Sequence, residues 1–355
     1  MSRKKIAVIF GGKSTEHEVS LQSAAAVLEN MNVEKYDILP IGITREGKWY
    51  YYTGQYRKIA EGMWEKEEGK LREVVPSANP SHRGFLVLSG ERFELMEADL
   101  VSPVLHGKNG EDGTVQGVFE LAGIPVIGCG ILSSALCMDK ARAHKLAALA
   151  GIKVSKSVVF GRSEKEKAGE KIRKSLSFPL FVKPLRAGSS FGITKVAEEN
   201  ALDSAITLAL SHDSKVIVEE AVEGFEVGCA VLGREKLIVG RVDEIELSKG
   251  FFDFTEKYTL KSSRIHMPAR IDTDTEKRIQ EAAKTIYRAL GCEGFARVDM
   301  FLTPDKEIVF NEVNTIPGFT AHSRYPNMMK GIGLSFAEML DKLAGLYTGD
   351  GEEHE

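Results

Sequence analysis

The chain has 355 residues, 43% hydrophobic and 28% charged, an ordinary globular composition with room for two or three domains. A formal net charge of −4, with both signs interspersed, gives no electrostatic basis for binding nucleic acid or an anionic membrane. No apolar run approaches the ~18 residues of a membrane span. The stretch Ile6 to Phe10 after the basic start is too short for a secretion signal, so the expected location is the cytoplasm.

Lys5 to Phe10 reads as a buried strand, followed by Gly11-Gly12 and a polar loop. Glu18 to Asn30 has a helical apolar pattern, and Tyr36 to Ile43 is a second strand. Strand, glycine turn, helix and strand together indicate an α/β class with a Rossmann-like start. Gly47 to Tyr52 suggests a hairpin insertion and Glu61 to Arg72 a charged helix. Asp99 to Val104 is a further strand, ending at the loop His106 to Thr114. Both glycine-bearing loops lie beyond strand ends, where open α/β sheets bind ligands.

Met138 to Ala150 reads as a helix closed by Gly151, and two short β-plus-helix units follow to Ser214. Strands are expected at Lys215 to Glu220, Phe225 to Leu232 and Lys236 to Glu246, then a long loop from Leu247 to Ser263. A helix from Thr275 to Leu290, two strands and a last helix from Leu334 to Tyr347 complete the pattern. The division is three domains, 1–130, 131–214 and 215–348, with a frayed tail from 349 to 355. Cys129, Cys137, Cys229 and Cys292 lack C-x-x-C spacing and read as buried reduced thiols.

The last two strands, Phe295 to Leu302 and Glu307 to Asn314, flank the turn Thr303-Pro304-Asp305-Lys306. Symmetry about that turn places Arg297 opposite Glu312 and Asp299 opposite Phe310. Alternation then projects Arg297, Asp299, Glu312 and Asn314 from one face. Three oxygen donors suit Mg²⁺, which takes a few carboxylates and completes its shell with water and nucleotide oxygens. The neighbouring arginine can stabilise a transferring phosphoryl group or an oxyanion. An exposed hairpin face carrying an Arg–Glu pair fits the spacing equally well.

Lys183 ends an apolar strand ahead of the small-residue loop Gly188-Ser189-Ser190 with Gly192, which would let backbone N–H groups approach phosphate. A plain turn fits too, because no Walker A motif is present. In Val216 to Val227, Glu219 and Glu220 end a strand and Glu226 follows a glycine turn. They could hold an adenine amine and ribose hydroxyls, or be solvated strand-end acids. Lys140, opening its helix, could equally be an exposed lysine.

Taken together, these segments resemble the ATP-grasp family, and within it the D-alanine–D-alanine ligases and related vancomycin-resistance ligases. The carrying motifs are GGKSTEHEVS (11–20), HGKNGEDGT (106–114), MDKARAHKL (138–146) and KPLRAGSSFGITKV (183–196), followed by FFDFTEKY (251–258), RVDMF (297–301) and NEVNTIPGFTAHSRYP (311–326). They follow the family's order over nearly the whole chain.

The resemblance implies a three-domain ATP-grasp ligase using ATP and a pair of Mg²⁺ ions, with Mn²⁺ as a substitute, and working as a homodimer. Lys140, Lys183, Ser190, Glu219, Glu220, Val222 and Glu226 match nucleotide-binding positions, and Asp299, Glu312 and Asn314 the metal ligands. Glu16 matches the carboxylate that takes the first D-alanine's ammonium, with His106 nearby. Ser189 and Tyr258 match a group that ties the loop over the site, and Lys257 the lysine that reaches the phosphates. Arg297 with the Gly318 backbone matches the oxyanion stabiliser, and Ser323 the contact to the second substrate's carboxylate.

Which second substrate follows is narrower. Tyr258 in EKY resembles the loop of D-alanine-adding ligases, whereas the D-lactate-adding type carries a different loop. Arg324 in HSRYP replaces the apolar residue of D-alanine-adding enzymes and resembles the G-type D-alanine–D-serine branch. A guanidinium can hydrogen-bond a serine hydroxyl and is a poor neighbour for a bare methyl. An arginine pointing away from the pocket is the alternative, and D-alanine would then be the second substrate. A ligase for another acid and a non-catalytic nucleotide-binding regulator are the competing classes. The first-substrate loop opposes the former, and the complete metal and phosphate set opposes the latter.

Overall fold

The computed structural model describes residues 3–349 apart from 189–190, 248–262 and 321. β1 (Lys4–Gly11) has its last six residues buried, as an apolar run does when a sheet covers it on both faces. It is followed by α1 (His17–Asn30) and lies between β2 (Tyr36–Ile43) and β7 (Leu100–Val104), parallel to both. The turn after β1 requires glycine: Gly11 has φ 86°, and a Cβ there would stand 2.2 Å from the Ile43 carbonyl oxygen. β3 (Trp49–Tyr52) pairs antiparallel with β2, as the hairpin insertion predicts. The insertion runs further, through α2 (Tyr56–Ala60), β4 (Leu71–Pro76), β5 (Gly84–Ser89) and β6 (Arg92–Glu97), to complete a seven-stranded sheet ordered β6-β5-β4-β3-β2-β1-β7.

Glu61 to Arg72, expected as a charged helix, instead forms two short 3-10 turns, Trp64–Lys66 and Glu68–Lys70, before β4. Trp64 explains the difference. It is fully buried, meets Phe10 and Tyr52 edge-on at 5.1 and 6.1 Å, and presses the segment onto the sheet.

After α3 (Thr114–Leu121), α4 (Ile131–Met138) and α5 (Lys140–Leu149), β8 (Lys153–Val154) joins the edge of the last sheet. β9 (Ser157–Gly161), α6 (Lys165–Ser175), β10 (Leu180–Pro184), β11 (Thr194–Val196), α7 (Leu202–His212) and β12 (Lys215–Glu220) build a four-stranded antiparallel sheet ordered β11-β10-β12-β9. β13 (Phe225–Gly233), β14 (Leu237–Leu247), β15 (Ser263–His266), α8 (Thr273–Ala289), β16 (Gly294–Leu302) and β17 (Ile308–Asn314) form the third sheet, β15-β14-β13-β16-β17-β8. α9 (Arg324–Lys330), absent from the predicted pattern, and α10 (Phe336–Thr348) follow. One apolar cluster, including Leu28, Phe295, Phe319, Tyr325 and Leu343, joins α1 to the third sheet and the last two helices.

The β16–β17 hairpin forms in a register that differs from the symmetric expectation. Arg297 pairs with Asn314, not Glu312, and Asp299 pairs with Glu312, not Phe310. Two features shift it by one residue each. Lys306 takes φ 58° in a turn closed by the Thr303 N–H to the Glu307 carbonyl at 3.0 Å. A bulge then leaves Asn311 outside the ladder, between Phe310 opposite Met300 and Glu312 opposite Asp299. Two single shifts restore parity, so the expected face survives. One alone would have turned Glu312 and Asn314 toward the core.

Candidate active site

The loops after β1 and β7, the end of β17 and the start of α9 enclose a cavity of about 590 Å³, bordered by Glu16, His106, Arg297, Gly318 and Ser323. A second cavity of about 450 Å³ lies between the second and third sheets, bordered by Lys183, Glu219, Val222 and Glu226. Glu312 borders both.

On β16, Asp299 is almost wholly buried. Arg297 donates to it from Nε (2.8 Å) and Nη2 (2.7 Å), and the Asn314 amide donates at 2.8 Å. Burial pushes the Asp299 carboxyl up, but Arg297 and Arg324 more than offset this and hold it below the usual carboxylate range. Two carboxylates and an amide are hard oxygen donors, a set that fits Mg²⁺ with its remaining ligands drawn from nucleotide and water.

Arg324 opens α9 and is buried. Its Nε and Nη2 donate to Asp243 at 2.7 and 2.8 Å, and Nη1 donates to Glu226 at 2.8 Å and lies 3.4 Å from Asp299. Burial disfavours its charge, yet Asp243 and Asp299 hold its pKa well above the ordinary value. Arg324 therefore borders the first cavity while its guanidinium is committed to three carboxylates.

Lys183 and Glu219 face each other from adjacent strands, with Nζ to Oε2 at 2.6 Å. Glu219 is buried, and despite that desolvation Lys183 and His144 keep its carboxyl below the usual range. Glu220, next along, points the other way and accepts from the Ser177 N–H at 2.8 Å. Lys140 is buried rather than exposed. It follows Asp139, which caps α5 by accepting the Arg142 N–H, and its Nζ donates to the Ala187 carbonyl at 2.7 Å.

Glu16 is buried beside Gly107 and Gly188, and a Cβ at Gly107 would come 2.1 Å from its Oε2. Ser323 accepts from the Thr320 N–H at 3.0 Å, close under Gly318. His106 Nδ1 lies 2.8 Å from the Ile316 carbonyl and Nε2 lies 3.0 Å from Ser23 Oγ. Burial lowers the His106 pKa, which favours the neutral ring, with Nδ1–H donating and Nε2 accepting. Ser189, Ser190, Lys257 and Tyr258 lie outside the described residues, as does most of the Leu247 to Ser263 loop.

Three residues that sequence reasoning passes over belong to these surroundings. Asp243, wholly buried in β14, anchors Arg324; among its charged neighbours Arg241, Glu244 and Glu246 nothing in the sequence singles it out. Glu111, inside HGKNGEDGT, accepts backbone N–H groups of Gly107 and Ile316. His144 lies 3.5 Å from Glu219 and also bonds the carbonyl of the bulged Asn311 at 2.8 Å. The four cysteines are free and buried as expected, and Cys137 and Cys292, distant in sequence, stand 3.7 Å apart.

The three sheets and this arrangement of lysines and carboxylates define an ATP-grasp ligase. The chain belongs to the D-alanine–D-alanine ligase family: the D-ala D-ala ligase N-terminus matches residues 5–129 and the D-ala D-ala ligase C-terminus residues 146–344. Its fold is similar to the crystal structure of the VanG D-Ala:D-Ser ligase from Enterococcus faecalis, at 69% identity and TM-score 0.93, covering 98% of this chain and 100% of that one. The vancomycin B-type resistance protein VanB of Enterococcus faecalis is 44% identical, over 98% of this chain and 99% of its own. The D-alanine–D-alanine ligase of Caldicellulosiruptor bescii is 42% identical, over 98% and 95%.

Proposed function

We propose that the chain joins D-alanine to D-serine, converting ATP to ADP and phosphate, and so makes the dipeptide terminus of a peptidoglycan precursor that gives vancomycin resistance. The observation that carries the reading is the shared wall: Glu312 separates a cavity bearing Glu16 and Arg297 from one bearing Lys183 and Glu219. Likeness at 69% identity to a D-Ala:D-Ser ligase favours serine.

In the reaction, a carboxylate oxygen of D-alanine attacks the γ-phosphorus of ATP, the bond to ADP breaks, and D-alanyl phosphate forms. The amine of the second amino acid then attacks the acyl carbon, loses a proton, and phosphate leaves from a tetrahedral intermediate. Glu16 takes the first ammonium, with His106 beside it. Arg297 and the Gly318 N–H stabilise the oxyanion. Ser323 takes the second carboxylate, and Arg324, with Asp243 behind it, selects the second side chain. Lys140, Lys183, Ser190, Glu219, Glu220, Val222 and Glu226 hold the nucleotide. Asp299, Glu312 and Asn314 hold two Mg²⁺ ions, for which Mn²⁺ substitutes and which supply neutralisation of phosphate charge. By the family resemblance, Lys257 and Tyr258 belong to the closing loop that keeps water from the acyl phosphate, and Ser189 with Tyr258 ties that loop over the site. The units are 1–130, 131–214 and 215–348, in a cytoplasmic homodimer.

One observation favours D-alanine as second substrate instead: Nε, Nη1 and Nη2 of Arg324 each already donate to a carboxylate, which commits three of its five N–H groups away from a substrate hydroxyl. Supplying D-alanine and D-serine together near neutral pH separates the readings. The mixed dipeptide is expected to dominate, and exclusive D-Ala–D-Ala would remove the serine assignment while leaving the ligase intact.

A further inference from the structure

Gly318, the proposed oxyanion donor, sits between β17 and α9 in a segment whose described residues belong to no helix or strand. Such a segment must be held from outside if its N–H is to be aimed in advance. The peptide groups on either side of Ile316 are held by two side chains from the loop after β7. His106 Nδ1 donates to the Ile316 carbonyl at 2.8 Å, and Glu111 Oε1 accepts the Ile316 N–H at 2.9 Å. The other Glu111 oxygen accepts the Gly107 N–H at 2.9 Å, so the carboxylate is fixed to its own loop while it reaches across. Ser23 of α1 completes the grip, with its Oγ 3.0 Å from His106 Nε2 and accepting the Phe319 N–H at 3.3 Å.

Resting on the ligase reading above, we propose that Glu111 is a positioning residue: with His106 it clamps the backbone at Ile316 from both sides and thereby aims the Gly318 N–H at the reacting carbonyl. Burial and nearby Glu16 press the Glu111 carboxyl toward its neutral form, while its two backbone donors favour the charged one. An apolar side chain would fill the space without that conflict but would leave the Ile316 N–H without an acceptor. The clamp acts on a group used in the transition state, so its loss is read in kcat rather than in nucleotide affinity.

The test is Glu111→Gln, which keeps the size but turns an N–H toward one of the two backbone donors. The wild-type enzyme, assayed alongside with D-alanine, D-serine, ATP and Mg²⁺, must form ADP; if it does not, the ligase reading fails rather than the clamp. In the variant, kcat is expected to fall by about 30- to 100-fold, the scale of a small misplacement of a catalytic group. The KM for ATP is expected to stay within about twofold, since uniform binding is untouched. Hydrogen exchange across 315–320 should quicken while that of β16 stays protected. An unchanged kcat, or a kcat loss matched by an equal rise in the KM for ATP, overturns the proposal. If Glu111→Gln does not fold, Ser23→Ala loosens the same segment from the other end. It should slow kcat by about fivefold with the same exchange signature, and unaltered exchange there also overturns the clamp.

Discussion

Asp299 stands directly across the hairpin from Glu312, and it does so because Asn311 is left out of the ladder. Without that bulge, Glu312 would take the face of Phe310 and lie in the core of the third sheet. Deleting Asn311, by contrast, closes the ladder with Phe310 still opposite Met300 and Glu312 still opposite Asp299, so the folded deletion variant is expected to keep forming ADP. Removing a residue from the turn, on the far side of the bulge, should cost stability first. Loss of ADP formation in a folded Asn311 deletion would show that the bulge does more than set the register, for instance through the Asn311 carbonyl that His144 bonds.

Asp299→Ala strands Arg297, which is buried and has Asp299 as the acceptor of both its Nε and Nη2. Leaving a buried charge without its partner costs about 3–5 kcal/mol. ADP release, measured after folding is checked by circular dichroism, is expected to fall to background. ADP release left unchanged by Asp299→Ala would not originate at this carboxylate face, and would revive the non-catalytic nucleotide-binding regulator class.

Arg324→Met should shift the product ratio from D-Ala–D-Ser toward D-Ala–D-Ala. It should also lower the urea midpoint, because Asp243 is wholly buried and loses two bonds. Adding Asp243→Asn should recover part of the stability, since the lone charge goes with it. A ratio unaffected by Arg324→Met would place the guanidinium outside the specificity pocket.

How much of this was legible depended on the range of the signal. The strand Tyr36–Ile43 was readable residue for residue because Tyr36, Ile38, Leu39, Ile41 and Ile43 favour extended backbone and Asp37 is the one charge among them. That Asp299, Glu312 and Asn314 share one face was legible from alternation, yet their pairing was not, since a bulge leaves no mark in hydrophobic period. The segment around Trp64 misled for the opposite reason: its charges suggested a helix, while one buried ring pinned it to the sheet. Asp243 and Glu111 matter through contacts 81 and 205 residues away, distances at which local pattern is silent.

The pH dependence of stability should carry the signature of Glu111. Burial and Glu16 raise its carboxyl from 4.5 to about 7, so its favourable contribution is present below 4.5 and lost as pH rises to about 7. The stability of the wild type relative to Glu111→Gln, from urea midpoints, should therefore decline between those values and level off above them. A flat difference would mean that Glu111 is charged throughout.

Gly107→Ala tests the first-substrate corner. Its φ of 70° and a Cβ 2.1 Å from Glu16 Oε2 leave no place for a methyl. The KM for D-alanine should rise more than tenfold, together with a stability loss of about 1 kcal/mol or more from the strained backbone. An unaltered KM would mean that Glu16 has slack.

Glu312 is a party wall between two rooms. A tenant on either side that draws its carboxylate closer changes what the neighbour finds. The factor by which nucleotide tightens or loosens the hold on the amino acid must then equal the factor by which the amino acid alters the hold on nucleotide. The two substrates of this enzyme are acquainted before they react.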